Sequence, residues 1–324
     1  MFVNNNINYY ILLMSFSTFN ADAQAKGLYE AMKGVGTDNK SLIHIVANTT
    51  NQQRQEIIKA YHRLYNKDLI KDIKSELRGN YEDAVIAAFA TPVEYDVQEI
   101  IRTNKKKDAD SLIEIIATRP KWMLDEIQQR YKQLNNDSSI EDTLNCKFDA
   151  SFKTLITRLL QHTRRSNHKQ PHMNTCKQQA KDLSSCSNWN EDESVFNKLF
   201  YTSSAKELVV ISKHFHKLTG KTLPQALNER NEFTKEMKVY MQTVLFAVMA
   251  PSEYFATRIR KAIEGWGTDN WLLIRMLITR DELDMKYIRM YYKDKYKIEM
   301  IKDIESDCSG NYRAFVVELA GHEV

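Results

Sequence analysis

IKDIKSELRGNY, residues 70–81, occurs again with few changes as IKDIESDCSGNY, residues 301–312. The two stretches lie 231 residues apart, and the tetrapeptide GTDN recurs at the same offset, at residues 36–39 and 267–270. Because 231 is three times 77, a domain-sized period, the offset predicts four copies of one unit, the middle two more diverged. Each unit is expected to bury its apolar faces against its neighbours.

The composition predicts an all-α fold for these units. The 324 residues include only 9 glycines and 5 prolines, too few for the many turns of an all-β protein, and residues that favour helices are abundant. In the first copy, apolar spacing and an N-cap at Asp38 predict five short helices, near residues 22–33, 38–48, 51–65, 68–77 and 80–90.

The repeat also predicts the domain boundaries. We expect a flexible N-terminal arm at residues 1–21, followed by the first repeat at 22–91 and the second at 92–162. A polar linker at 163–173 then leads to the third repeat at 174–250 and the fourth at 251–324. The stretch around the linker, QHTRRSNHKQPH, contains three histidines, but its composition favours a solvated linker over a metal site.

The repeated loop has the composition of a calcium site. MKGVGTDN in the first copy and IEGWGTDN in the fourth each place two glycines around one variable residue, between two predicted helices. Glycines permit conformations in which successive carbonyl oxygens point at one spot, and Ca²⁺ prefers such oxygens together with a carboxylate. An acid recurs at a fixed distance, because Thr37 precedes Glu76 by 39 residues and Thr268 precedes Asp307 by 39. A glycine helix cap alone does not explain that recurrence.

A Gly-x-Gly-Thr loop followed at a fixed distance by an acid, in four repeats of five helices each, resembles the annexin family. The resemblance covers about residues 22–322 and implies a curved, disc-like all-α protein. Its convex face would bind Ca²⁺ and, through Ca²⁺, acidic phospholipid membranes. The implied calcium ligands are the carbonyls of Met32, Gly34 and Gly36 with the Glu76 carboxylate, and the carbonyls of Ile263, Gly265 and Gly267 with the Asp307 carboxylate.

The second copy departs from this pattern. It reads IIRTNKKKDADS at the loop and has Lys147 where the acid is expected, so we predict that it holds no calcium. Its cluster of Lys105, Lys106 and Lys107 is expected either to contact anionic lipid directly or to form a solvated loop.

The third copy retains part of the pattern. It keeps Trp189, but Asn190 replaces a glycine, and the alignment needs an insertion near residues 228–240. We predict a weaker third site from Trp189 and Glu236.

The variable residue between the two glycines is expected to face the membrane. This residue is Val35 in the first copy and Trp266 in the fourth. Trp suits the head-group region, although packing of the Trp266 ring in the core is an alternative.

Several other classes of function are not favoured. GVGTDNKSL, residues 34–42, ends like a phosphate loop, but Asn39 occupies the place of the essential glycine, so we expect no nucleotide. The net charge of +4 comes without a basic, aromatic-interleaved stripe, so nucleic acid is not expected either. There is no recognisable catalytic motif, no segment of about 20 apolar residues, and no regular spacing of the four cysteines. We therefore expect a non-enzymatic cytoplasmic protein that binds membranes peripherally.

Two functions remain open. The first is calcium-dependent binding to acidic phospholipid membranes. The second is a cytoskeleton-associated scaffold with partly vestigial calcium sites, as for the alpha-giardins of a protist cytoskeleton, which belong to the family that the sequence resembles.

Overall fold

The structure, a computed structural model, describes residues 19–144, 148–167, 169–191, 194–265 and 267–322. Within these ranges the chain forms twenty α-helices and no β-strand, which confirms the predicted all-α class. None of these helices is both long enough and apolar enough to cross a membrane. Most of the predicted N-terminal arm, residues 1–18, lies outside the described residues.

Each predicted repeat contains five helices. In the first repeat they are α1 (Ala21–Met32), α2 (Asn39–Ala47), α3 (Asn51–Tyr65), α4 (Leu69–Glu76) and α5 (Gly79–Phe89). In the second they are α6 (Pro92–Lys106), α7 (Ala109–Thr118), α8 (Lys121–Leu134), α9 (Ile140–Leu144) and α10 (Ala150–Gln161). In the third they are α11 (Met173–Ser185), α12 (Val195–Thr202), α13 (Ala205–Thr219), α14 (Leu223–Asn228) and α15 (Lys235–Met249). In the fourth they are α16 (Pro251–Ile263), α17 (Asn270–Arg280), α18 (Met285–Tyr296), α19 (Met300–Asp307) and α20 (Gly310–Gly321).

Capping side chains fix where the helices of the first repeat begin. Asp38 accepts a hydrogen bond from the Ser41 N–H at the start of α2, as predicted. Thr50 and Gln53 form a reciprocal capping box at the start of α3, and Asp68 caps α4. These caps satisfy amide groups that a helix leaves unpaired at its first turn, so the observed helices agree with the predicted ones to within one or two residues.

The helices group into two compact units. Unit 1 contains the described residues up to Thr91 and those from Phe255 onward, and unit 2 runs from Pro92 to Tyr254. The first and fourth repeats therefore share one unit, and the second and third share the other.

Unit 1 is held together by contacts between residues that are far apart in sequence. Helix α20 packs on α2 and α5, and α5 also packs on α17. The rings of Tyr81 on α5 and Phe315 on α20 meet edge to face, with centroids 6.3 Å apart. The buried guanidinium of Arg54 lies 3.6 Å from the buried Asp281 carboxylate. Burial lowers the pKa of Arg54, and the charge of Asp281 opposes that shift.

Unit 2 has its own apolar core. Helix α7 packs on α15, and α10 packs on both of them. Trp189 is fully buried in this core and stacks on Phe196, with ring centroids 4.4 Å apart.

Most described residues of the predicted linker are exposed, but one of its side chains is held by the fold. Arg164 donates hydrogen bonds to the carbonyls of Phe200 and Ser203, at 2.8 Å each, and so fixes this segment to the end of α12. Burial lowers the pKa of the Arg164 guanidinium to about 10. The last carbonyls of a helix have no partner within the helix, so a polar side chain from another segment can bind them. The composition of that segment does not reveal such a contact. His168, one of the three histidines of this stretch, lies outside the described residues.

Candidate metal-binding loops

Two loops, between α1 and α2 and between α16 and α17, have nearly the same backbone conformation. Gly34 and Gly36 have φ angles of 107° and 85°, and Gly265 and Gly267 have φ angles of 112° and 86°. A Cβ atom added at any of the four would meet nothing within 4 Å. The loops therefore need glycine for its backbone freedom and not for lack of space.

In each loop a threonine holds the predicted acid. The Thr37 hydroxyl donates to Oε2 of Glu76 at 2.9 Å, and the Thr268 hydroxyl donates to Oδ2 of Asp307 at 2.5 Å. Both carboxylates are partly buried. The structure thus brings together the loop and the acid that the 39-residue spacing predicted, although each acid lies at the end of a different helix, α4 or α19.

The ends of the two loops are closed by equivalent backbone hydrogen bonds. The Asp38 N–H donates to the Ala31 carbonyl at 2.8 Å, and the Asp269 N–H donates to the Ala262 carbonyl at 2.7 Å. Each bond spans seven residues, so the segment between its ends is held as a closed loop.

The carbonyls between those ends are available to a ligand. Among the described residues, none of the predicted carbonyl ligands accepts a hydrogen bond, namely those of Met32, Gly34, Gly36, Ile263, Gly265 and Gly267. Uncharged carbonyl oxygens beside one carboxylate form a donor set that fits Ca²⁺ and does not fit Zn²⁺, which prefers nitrogen and sulfur. The described residues contain no cluster of three or more His, Cys, Asp or Glu side chains that could hold a metal instead.

The surroundings of the first loop are open. The Val35 side chain, between the two glycines, is fully exposed at 109% of its reference area. A cavity of about 460 Å³ beside Glu76 is bordered by Asn311 and Tyr312 of the fourth repeat. Trp266, at the corresponding place in the second loop, lies outside the described residues, so its predicted exposure stays a prediction.

A buried thiol lies beside the acid of the fourth repeat. Burial raises the pKa of Cys308 to about 11, with a smaller contribution from the neighbouring Asp307 charge. The thiol is therefore neutral at physiological pH and adds no negative charge to the site.

The second repeat has almost no loop at the equivalent place. Helix α6 continues to Lys106, and Asp108 already caps α7, so only Lys107 lies between them, in a left-handed conformation with φ 59°. The Lys105, Lys106 and Lys107 side chains are exposed at this helix end. Lys147, at the place of the acid, lies outside the described residues.

In the third repeat a cation of the protein itself occupies the loop. The Arg230 guanidinium donates to the carbonyls of Cys186 and Ser187, at 2.9 and 3.0 Å. It also lies 3.7 Å from the Glu232 carboxylate and 4.3 Å from the centroid of the Trp189 ring. Burial opposes ionisation of Glu232, but the hydrogen bond from the Trp189 N–H and nearby positive charges outweigh it and lower the pKa of this carboxyl.

The acid at this loop is Glu232 and not the predicted Glu236. Glu232 accepts a hydrogen bond from the Trp189 N–H at 3.0 Å, whereas Glu236 is exposed in the first turn of α15. Trp189 was predicted as part of a weak site, but its carbonyl already accepts a hydrogen bond from the Ser194 hydroxyl at 2.8 Å. The spacing from the helix cap could have identified Glu232 in the sequence. Glu232 follows the cap Ser194 by 38 residues, and the same spacing separates Asp38 from Glu76.

Comparisons with known proteins agree with this geometry. A family profile described as annexin matches residues 22–88 and 254–319, the two repeats that carry the paired loops. Annexin A11 of Mus musculus is 32% identical over 309 residues, which are 94% of this chain but only 61% of that longer protein. Annexin A4 of Sus scrofa is 32% identical over 310 residues, which are 94% of this chain and 96% of that protein. The solved structure of annexin III has a TM-score of 0.84 at 26% identity and covers 95% of both chains.

The fold and its two loops define an all-α repeat protein with paired oxygen-donor sites suited to Ca²⁺. The chain belongs to the annexin family.

Proposed function

We propose that this protein binds acidic phospholipid membranes peripherally and in a calcium-dependent way, through the α1–α2 and α16–α17 loops. The observation that carries the proposal is the recurrence of one arrangement in both loops. Each has two glycines at matching positive φ angles and a threonine that hydrogen-bonds the distant carboxylate.

The residues of each loop have separate parts in this function. The carbonyls and the carboxylate of Glu76 or Asp307 would hold Ca²⁺, and the threonine hydroxyl keeps the carboxylate in place beside the loop. Ca²⁺ takes six to eight oxygens, more than one loop and one carboxylate offer, so the remaining positions are left for lipid phosphate or carboxylate oxygens. Protein and lipid then share the ion, and each raises the other's apparent affinity for it.

Apolar and basic side chains would add to membrane contact. The fully exposed Val35 lies where it can enter the head-group region when the first loop docks. Trp266 is assigned the same role in the second loop. The exposed Lys105–Lys107 cluster would contribute attraction to anionic lipid of roughly 1 kcal/mol for each lysine close to the surface.

We assign the protein to the cytoplasm and give it no catalytic step. The three cysteines in the described part of the chain, Cys176, Cys186 and Cys308, are free, as is usual in a reducing compartment. The proposed partners are membrane lipid and calcium, with no nucleotide and no nucleic acid.

Co-sedimentation with phosphatidylserine vesicles, in calcium and in chelator, tests the proposal. Glu76→Gln and Asp307→Asn should each weaken calcium-dependent sedimentation, and the double variant should nearly abolish it with the helical content unchanged. Glu236→Gln is the matched control, because Glu236 is an exposed acid of unit 2 that belongs to neither loop, and it should behave as the wild type. Sedimentation of the double variant at wild-type calcium concentrations would contradict the proposal.

A cytoskeletal scaffold is the second candidate function. It is favoured by the second and third repeats, which keep the five-helix unit while one loop is lost and the other is occupied by Arg230. Co-sedimentation with assembled microtubules and with actin filaments, in chelator and without vesicles, tests it. Filament binding that persists in the Glu76→Gln/Asp307→Asn variant favours the scaffold, and its absence removes this candidate.

A further inference from the structure

The cavity of about 460 Å³ beside Glu76 has a polar wall that calcium binding alone does not explain. Its volume lies within the range of sites for small organic groups. Residues at the starts of three helices of unit 1 border it, α2, α5 and α20, namely Asn39, Arg78, Tyr81 and Tyr312.

Arg78 brings positive charge to this wall. Its Nη1 atom donates to the carbonyls of Lys74 and Leu77, at 2.8 and 2.6 Å, which holds the guanidinium beside the cavity. Within the described part of the chain, no carboxylate pairs with this guanidinium, and its Nε and Nη2 atoms donate no hydrogen bond. Helix α5 begins here without a side-chain cap, so the N–H groups of its first turn add partial positive charge. This end of the cavity therefore suits an anionic group.

The other polar groups of the wall are buried without partners. Tyr81 and Tyr312 are 7% and 9% exposed, and neither hydroxyl has a hydrogen-bond partner among the described residues. Asn39 donates from its amide nitrogen to the Thr37 carbonyl at 3.1 Å, but its Oδ1 is likewise buried without a partner. Polar groups buried in this way cost free energy, and hydroxyl groups of a ligand would remove that cost.

The fourth repeat lacks the charge at the equivalent place. Ser309 precedes α20 as Arg78 precedes α5, with φ −142° and ψ 162° against φ −143° and ψ 149°. The backbone is therefore the same in both repeats, and the guanidinium belongs to the first loop alone.

We propose that this cavity receives the phosphorylated inositol ring of a phosphoinositide whose glycerol-linked phosphate binds at the first calcium loop. The ring phosphate pairs with Arg78 and the start of α5, and the ring hydroxyls form hydrogen bonds with Asn39, Tyr81 and Tyr312. This inference rests on the calcium-dependent membrane binding proposed above. It adds a lipid specificity to the first loop that the fourth loop lacks.

Calcium titrations with two kinds of vesicle test the proposal. Phosphatidylcholine vesicles contain either phosphatidylinositol 4-phosphate or phosphatidylserine, in amounts that give the same zeta potential. The wild type should need at least about threefold less calcium for half-maximal co-sedimentation with the phosphoinositide vesicles, because only that head group meets both Arg78 and the unpaired acceptors. Equal calcium requirements would overturn this inference, whereas calcium-dependent binding to the phosphatidylserine vesicles would still support the proposed function.

Two lysine or arginine variants separate a contact from a general effect of charge. Arg78→Ser should remove the preference for the phosphoinositide, because it raises the calcium requirement mainly on those vesicles. Lys74→Ser is the matched control, since Lys74 is an exposed cation one turn away that does not border the cavity, and it should change both titrations equally. A preference that survives Arg78→Ser would refute the assignment.

The tyrosines give a test that separates binding from stability. Tyr81→Phe/Tyr312→Phe removes two hydroxyls that have no partner in the described protein, so the urea unfolding midpoint should stay the same or rise. The preference for phosphoinositide vesicles should nevertheless be lost in large part. A lower midpoint together with an unchanged preference would show that the hydroxyls serve the fold and not the ligand.

A soluble compound distinguishes the two sources of this chemistry, a lipid head group and a free inositol phosphate. D-myo-inositol 1,4-bisphosphate is titrated into the full chain by calorimetry, with calcium and without vesicles. The lipid proposal predicts that the wild type prefers phosphoinositide vesicles as described above. Binding of the soluble bisphosphate by a protein that shows no such preference would overturn it and assign the cavity to a free compound.

Discussion

Replacement of Arg230 by methionine should destabilise unit 2 and loosen the packing of Trp189. The guanidinium donates to the Cys186 and Ser187 carbonyls and lies against the Trp189 ring and the Glu232 carboxylate. Methionine keeps an unbranched apolar stem over the ring but removes the charge and every donor.

The magnitude follows from these contacts. Each hydrogen bond to a charged group contributes about 1.5–3 kcal/mol, and a cation above an aromatic ring contributes about 1 kcal/mol at a partly exposed site. The Arg230 side chain is 23% exposed, so water replaces part of what is lost, and we expect a loss of about 2–4 kcal/mol in the free energy of unfolding. With a urea dependence of about 2 kcal/mol per M, the unfolding midpoint should fall by about 1–2 M.

The loss is measured by unfolding the protein in urea and monitoring Trp189 fluorescence. The other three tryptophans are replaced by phenylalanine, so that Trp189 is the only indole. The emission of the folded variant should also shift to the red, because the wild-type ring is fully buried. Arg130→Met is the control within unit 2, because Arg130 and Glu94 form an ion pair with side chains 39% and 35% exposed, worth at most about 1 kcal/mol. Coincident midpoints for the two variants would refute the role of Arg230.

Three further predictions concern the calcium loops. Gly36→Ala should raise the calcium concentration for half-maximal vesicle binding by about 5- to 30-fold. The reason is that a residue with a Cβ atom at a φ of 85° costs about 1–2 kcal/mol. An unchanged calcium titration would contradict this prediction. Lys147→Asp should not create a calcium site in the second repeat, because a single residue separates the end of α6 from the Asp108 cap. A gained site in calorimetry would disprove this account of the loop. With the other three tryptophans replaced by phenylalanine, Trp266 emission should shift to the blue with calcium and acidic vesicles and return with chelator; an emission already blue without lipid would place the ring in the core.

The helices of the first repeat were predictable because their ends depend on local chemistry. Asp38, Thr50 and Asp68 cap α2, α3 and α4 through contacts within three residues. Such contacts are visible in sequence as a capping residue before an apolar pattern. Arg164 shows the limit of that approach, since its hydrogen bonds to Phe200 and Ser203 join residues that only the folded chain brings together.

The two calcium loops were predictable for a different reason. Their spacing is repeated in two copies, so Glu76 and Asp307 could be identified by comparing the chain with itself. The third copy offers no such guide. It lacks both the loop glycines and the Gly-Asn-Tyr sequence that follows the acid in the first and fourth copies, so its sequence predicts Glu236 in place of Glu232. The role of Arg230 depends on carbonyls more than forty residues away, which no local pattern indicates.

Unit 1 is built from the two ends of the described chain, and this has a consequence during translation. At roughly 5–20 residues per second, the 163 residues of unit 2 take about 10 to 30 s to emerge from the ribosome. Throughout that interval the first repeat lacks α17 and α20, and Arg54 lacks Asp281. The nascent first repeat should therefore expose apolar surface and bind chaperones, whereas unit 2, which is continuous in sequence, can complete its core while synthesis is still under way.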